Sequence, residues 1–218
     1  MTALLALDPL DLAALLCSKV CHDVISPVGA IVNGLEMLED EKDPETRNFA
    51  LDLVRKSATS ASARLQFCRL AYGAAGSAGA SIDTGDAEKV ARGLLEDDKT
   101  KLVWNAPRVL LPKNKVKLIL NMCQIAAAAI PRGGVVEATI SGEGEAAALS
   151  ARSSGAYFRL AQSVPQMLAG QPESGAVDAH GIQAFYTGLV ARSSGMTLTI
   201  APEEGAVTIA AAPAAAAA

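Results

Sequence analysis

The sequence is poor in the side chains that carry most metal and nucleophile chemistry. It holds two histidines, four cysteines and one tryptophan among 218 residues, with aromatics at 4 %. A metal centre would have to start from Cys17, Cys21 and His22, yet on a helix His22 projects about 100° away from Cys21 and no fourth ligand is near in sequence. No bound metal or other cofactor is therefore expected, and buried, inert helix cysteines are the simpler reading. Charge of one sign is not in excess either. With 19 Lys+Arg against 23 Asp+Glu the net charge is -4, which gives no general electrostatic case for nucleic acid or an anionic membrane, so a partner must be recognised locally. Half the residues are apolar, but alanine inflates that share and no run of ~20 apolar residues is expected to span a bilayer. The opening "MTALLALDPLDLAALL" lacks a basic start and carries two aspartates, unlike a signal peptide. Scattered cysteines fit reduced thiols in a cytoplasmic protein.

What is present is a strong helical period. Asp8-Pro9 is a helix start, with aspartate as cap and proline at the first position. From there Leu12, Leu16, Val20, Val24, Val28, Ile31, Leu35 and Leu38 recur at steps of four and three to form one stripe. Asp43-Pro44 repeats the start signal, and a second helix runs through Phe49, Leu53, Leu65, Phe67 and Leu70 to about Tyr72. With hardly any loop between them the helices must form an antiparallel hairpin, each roughly 45 Å long at ~1.5 Å per residue. A lone hairpin cannot bury both stripes, whereas two copies can, as the four-helix bundle of a homodimer with Leu16, Val20, Ile31, Leu35, Phe49 and Leu53 in its core.

The small-residue segment "GAAGSAGAS" marks a boundary. The expected organisation is a hairpin domain at 1–73, a linker at 74–80, a mixed domain at 81–212 and an alanine-rich tail, loosely ordered or disordered, at 213–218. The mixed domain reads as a strand near 82, helix 86–96, strand 101–105, helix 113–130, strands 135–141 and 147–153, helix 179–193, and strands 196–201 and 206–211. The fold class is α+β, a helical hairpin followed by an α/β sandwich.

The chemistry centres on "CHDVISPVGAI". His22 stands about 200° around the helix from Val20, so it faces outwards, together with Ile25, Ser26 and Gly29 at i+3, i+4 and i+7. An imidazole with a reference pKa of about 6.5 is a competent nucleophile near neutrality. Asp23 can orient the ring or take its proton, which suits phosphoryl transfer, a reaction of positioning and charge stabilisation. His180 follows a loop rich in Gly, Pro and Ser, so a capping or surface role is expected of it.

This stretch resembles the H-box of sensor histidine kinases, roughly His, Glu or Asp, Leu, Arg, Thr, Pro, Leu, x, x, Ile. His22 matches the phospho-accepting histidine, Asp23 its acidic neighbour, Ser26 the small polar position, Pro27 the proline and Ile31 the closing aliphatic; Val24 and Ile25 depart from the pattern. The segment "LILNMCQIAAAAIPRGGVVEATI" resembles the kinase N-box, with Asn121 in place but Ile125 where the family has its second, Mg²⁺-holding asparagine. The adenine-recognising aspartate-glycine motif is replaced by "ARSSGAYF", and Gln183, Ala184 and Phe185 stand where the last glycine-rich box should be. A histidine hairpin before a degenerate nucleotide domain resembles the ChpT family of alphaproteobacterial histidine phosphotransferases. That resemblance implies relay of a phosphoryl group from the receiver domain of a hybrid histidine kinase to response-regulator receivers, with His22, Asp23 and Ser26 carrying it over, Mg²⁺ held by the partner receiver, and no autokinase activity. The alternatives are an active ATP-dependent kinase fragment and a receiver-binding scaffold that transfers nothing.

A docking surface is expected beside the histidine. Counting along the hairpin brings residue 22 level with about 63, so the small-residue run "SATSASAR" leaves room for a partner helix. Ile25 and Gly29 would line that surface, and Arg64 would meet the acidic pocket of a receiver.

Overall fold

The computed structural model of the chain describes residues 4–73 and 80–214. Most of the expected linker and the end of the expected tail, residues 74–79 and 215–218, lie outside the described residues.

Two long helices open the chain, α1 at Pro9–Asp40 and α2 at Pro44–Ala71. Asp8 caps the first by accepting from the Leu10 N–H at 2.8 Å, and Asp43 caps the second by accepting from the N–H and hydroxyl of Thr46 at 2.9 and 2.8 Å. The tight turn between them is closed by Arg47, whose guanidinium donates to the carbonyls of Leu38 and Glu41 at 2.7 and 2.8 Å. Those carbonyls have no partner within the helix, so the arginine both satisfies α1 and fixes the hairpin. Gly34 sets the register. A Cβ there would meet Val54 at 2.6 Å and the Ala50 carbonyl at 3.3 Å, so the helices touch closely at that level. His22 lies twelve positions before Gly34 and hence level with residues 62 to 66, twelve positions after Ala50 and Val54.

The second half contains β1 at Ser81–Asp83, α3 at Thr84–Leu95, β2 at Thr100–Asn105, β3 at Leu110–Pro112, α4 at Lys113–Ala128, β4 at Gly134–Ser141, β5 at Ala148–Ser154, α5 at Ser163–Ala169, α6 at Ile182–Ser193, β6 at Met196–Glu203 and β7 at Ala206–Pro213. Five strands form one sheet in the order β2-β4-β5-β7-β6, parallel between β2 and β4 and antiparallel elsewhere. β1 and β3 pair separately. The expected elements are present, with shifted ends that have local causes. α3 starts at Thr84 rather than 86 because Asp83 accepts from the Gly85 N–H at 2.7 Å. α6 starts at Ile182 rather than 179 because Asp178 takes the N–H groups of His180 and Gly181 at 3.1 and 2.7 Å and holds them in a turn. β7 reaches Pro213, one residue into the expected tail. β3 and α5, of three and seven residues, are too short to show a period and were not expected.

One continuous apolar cluster joins the two halves. It runs from Phe67 and Ala71 on α2 through α4 and α6 to the inward residues of β4, β5 and β7. α1 overruns the end of α2, and Leu12, Leu15 and Leu16 pack against this same cluster, while the Leu5 N–H donates to the Gly170 carbonyl at 2.9 Å. Leu16, expected in the bundle core, thus packs on the cluster that the two halves share. By length and composition α1 could cross a membrane, which corrects the expectation that no stretch would. Little of that helix is buried within the single chain; Leu12, Leu15 and Leu16 pack on the cluster, while Val28, Val32 and Leu35 stay exposed. Lys19, His22 and Asp23 sit midway along it, where hydrocarbon would penalise each of them.

Candidate functional site

The side chain of His22 is 78 % exposed, as its helical position requires. Its Nδ1 lies 3.4 Å from Oδ1 of Asp23. The other carboxylate oxygen, Oδ2, is ion-paired with the ammonium of Lys19, one turn back on the same helix. Asp23 and Lys19 are 15 % and 17 % exposed, so the pair is tucked against the protein while the ring it supports reaches solvent. Ser26 and Ile25 are exposed and Gly29 half-buried beside the ring. A Cβ on Gly29 would meet nothing within 4 Å, so that position is open rather than packed. Ile25, Ser26 and Gly29, the three residues that the helical period places on one face with the histidine, are thus exposed or half-exposed on α1.

Lys19, His22 and Asp23 form one wall of a cleft of about 520 Å³ between α1 and the second domain. The opposite side carries Ile125, Arg159, His180 and Gln183. His180 is exposed on the cleft, and its backbone N–H is held by the Asp178 carboxylate in the turn before α6. Lys19 and Arg159 were missed from sequence. Lys19 had a signal, its i,i+4 spacing to Asp23, whereas Arg159 joins the site only through tertiary folding.

Arg64 is half-buried, with Nε 3.3 Å from the Ser60 hydroxyl. It lies on the stretch of α2 level with His22, and the small-residue run around it is only partly used inside the chain, with Ala58, Thr59 and Ser62 exposed. Ser57 and Ala61 are buried, and Ala63 stands 3.7 Å from where a Cβ on Gly93 of α3 would be. The room expected for a partner helix is partly taken by α3. The cysteines also differ from expectation: Cys68 and Cys123 are buried, but Cys17 and Cys21 are exposed, because they sit on the side of α1 turned away from α2. Burial pushes the Cys123 thiol up to about 12. Cys68 is raised by burial and by the Asp23 carboxylate, with Lys19 and Arg64 opposing.

The positions that resemble kinase motifs are occupied by packing and internal bonds. Asn121 is fully buried; its amide donates to the carbonyls of Lys117 and Ala71 at 2.8 and 3.3 Å, and its oxygen accepts from Gln183 Nε2 at 2.5 Å. The Tyr72 hydroxyl donates to Gln183 Oε1 and lies 3.3 Å from Gln124 Oε1. Burial, reinforced by Cys68 and Asp23, raises the Tyr72 hydroxyl well above the usual phenol range. In the segment that replaces the aspartate-glycine motif, the Gly155 N–H donates to Gly205 at 3.1 Å and Tyr157 lies under the Arg132 guanidinium at 4.4 Å. Among the described residues no group of three or more His, Cys, Asp or Glu is gathered as metal ligands would be.

The family model for the histidine phosphotransferase C-terminal domain matches residues 84–206. The chain belongs to this family. It is 47 % identical over 194 residues to the protein phosphotransferase ChpT of Brucella abortus (strain 2308), a match covering 89 % of this chain and 91 % of that one. The solved structure of a bacterial phosphotransferase superimposes with a TM-score of 0.86 at 42 % identity, covering 96 % of this chain and all of the other. This chain is accordingly a histidine phosphotransferase.

Proposed function

We propose that the protein relays a phosphoryl group between the receiver domain of a hybrid histidine kinase and the receivers of response regulators, with Nε2 of His22 as the carrier atom. One observation carries the reading: the ring is exposed, its Nδ1 faces Asp23 at 3.4 Å, and its other nitrogen is left free towards solvent and the cleft. A carboxylate only accepts, so Nδ1 carries the proton and Nε2 the lone pair. In the transfer that lone pair attacks phosphorus, the acyl phosphate P–O bond breaks and the partner's aspartate leaves with the electron pair. Mg²⁺ belongs to the partner receiver, where it neutralises the charge of the transferring group. Ser26 borders the reacting ring, while Ile25, Gly29 and Arg64 serve the docking of the partner.

The protein acts as a cytoplasmic homodimer. Val28, Val32 and Leu35 on α1 and Phe49 on α2 are 41 %, 48 %, 49 % and 64 % exposed in the single chain, a stripe whose burial stabilises by about 1.5–3 kcal/mol per fully covered side chain. A second hairpin of equal length is the natural cover. The second domain does not take up ATP in this reading. Asn121 is engaged by Gln183 and Ala71, and Ile125 offers a metal nothing.

Incubating the protein with a phosphorylated receiver domain tests the proposal. Acid-labile, base-stable label mapped to His22 is expected; label on no residue, or on another residue, overturns it.

A further inference from the structure

We propose that Lys19 is a positioning residue for phosphoryl transfer, holding Asp23 so that the His22 ring keeps the reactive tautomer. This rests on His22 being the phosphoryl carrier. The geometry is a short chain of contacts: Lys19 Nζ to Asp23 Oδ2, and Asp23 Oδ1 to His22 Nδ1 at 3.4 Å. All three side chains line the same cleft. As a helix-stabilising pair Lys19 and Asp23 would be poorly chosen, since a cation N-terminal to the acid is the weaker order and such pairs contribute little. They are nonetheless more than four-fifths covered. The pair is better explained by what it presents than by what it adds to the helix.

Left alone, the Asp23 carboxylate could swing away, because the torsion that turns a carboxylate is broad. Lys19 pins one oxygen, and the other then stays towards the ring. A neutral imidazole carries one proton, and the nearby acceptor keeps it on Nδ1. As Nε2 gives its lone pair to phosphorus the ring gains positive charge, and the carboxylate is already in place to balance it. The proton stays on Nδ1 throughout, so the step requires no other acid or base.

The test combines transfer kinetics with ¹⁵N NMR of histidine-labelled protein at pH 8. Wild type is expected to show His22 protonated on Nδ1, and K19M to move it towards the Nε2-protonated form and slow transfer roughly 10- to 100-fold. K19R is expected to restore both. A wild-type ring protonated on Nε2, or K19M with unchanged tautomer, overturns the assignment even if transfer slows. Mapping the label separates this from the underlying reading: label away from His22 refutes the carrier, whereas label on His22 with an indifferent Lys19 refutes only the positioning role.

Discussion

The side-chain amide of Gln183 donates to the side-chain oxygen of Asn121 at 2.5 Å, deep between α4 and α6. Through Tyr72 and the Ala71 carbonyl the same cluster grips the end of α2. The hairpin is thereby held against the second domain by buried polar groups that satisfy one another, and the cleft that includes His22 has fixed walls.

Truncating Gln183 to alanine leaves the Asn121 oxygen without its donor and the Tyr72 hydroxyl with only the longer contact to Gln124 Oε1 at 3.3 Å. We expect a loss of about 1–3 kcal/mol in urea unfolding, and about 0.5–1.5 kcal/mol for Tyr72→Phe. Wild-type stability in both variants would mean that the cluster does not clamp the halves.

Phe49→Asp and Leu35→Asp place charge on the exposed stripe of the hairpin. Light scattering should report twice the 22.3 kDa chain mass for wild type and a single-chain mass for the variants. A wild-type mass of one chain at micromolar concentration would contradict the dimer.

The caps set an acid limit. Hydrogen bonds from the Thr46 N–H and hydroxyl hold the Asp43 carboxyl below the usual carboxylate range. The Gly85 N–H and then Arg108 do the same for Asp83. A carboxylate whose folded value is depressed contributes stability that is fully present above its unfolded value of about 3.9 and is lost as pH falls through the folded one. Thermal melts should therefore show a decline below about pH 4 that is smaller in Asp43→Asn, since asparagine keeps the acceptor without titrating. An identical acid decline in wild type and variant would contradict this origin.

Calorimetry with Mg-ATP should detect no binding tighter than about 100 μM. Tighter binding, or label on His22 from γ-labelled ATP with no receiver present, would return the chain to the kinases.

Much of this was legible in the sequence because its signals are local. The Asp-Pro starts at 8 and 43 and the apolar steps of three and four give the hairpin, and the same period puts His22 outside. The short elements β3 and α5 leave no such trace. Burial of Cys17 and Cys21 could not be judged from their own helix, since it depends on which side faces α2. Nor could sequence show that α3 would settle against Ala63, or that Arg159 and His180 would meet His22 across a cleft; those follow from contacts between residues far apart in the chain.

The central claim is that phosphoryl groups pass through His22, and a reconstituted relay tests it most directly. A phosphorylated donor receiver, this protein and a second receiver are mixed, and label on the second receiver is followed in time. With wild type the label should cross by way of an acid-labile intermediate on His22; with His22→Ala, whose exposed side chain leaves the fold intact, it should stay on the donor. Labelling of the second receiver at the wild-type rate by His22→Ala would contradict the account and leave the protein a scaffold.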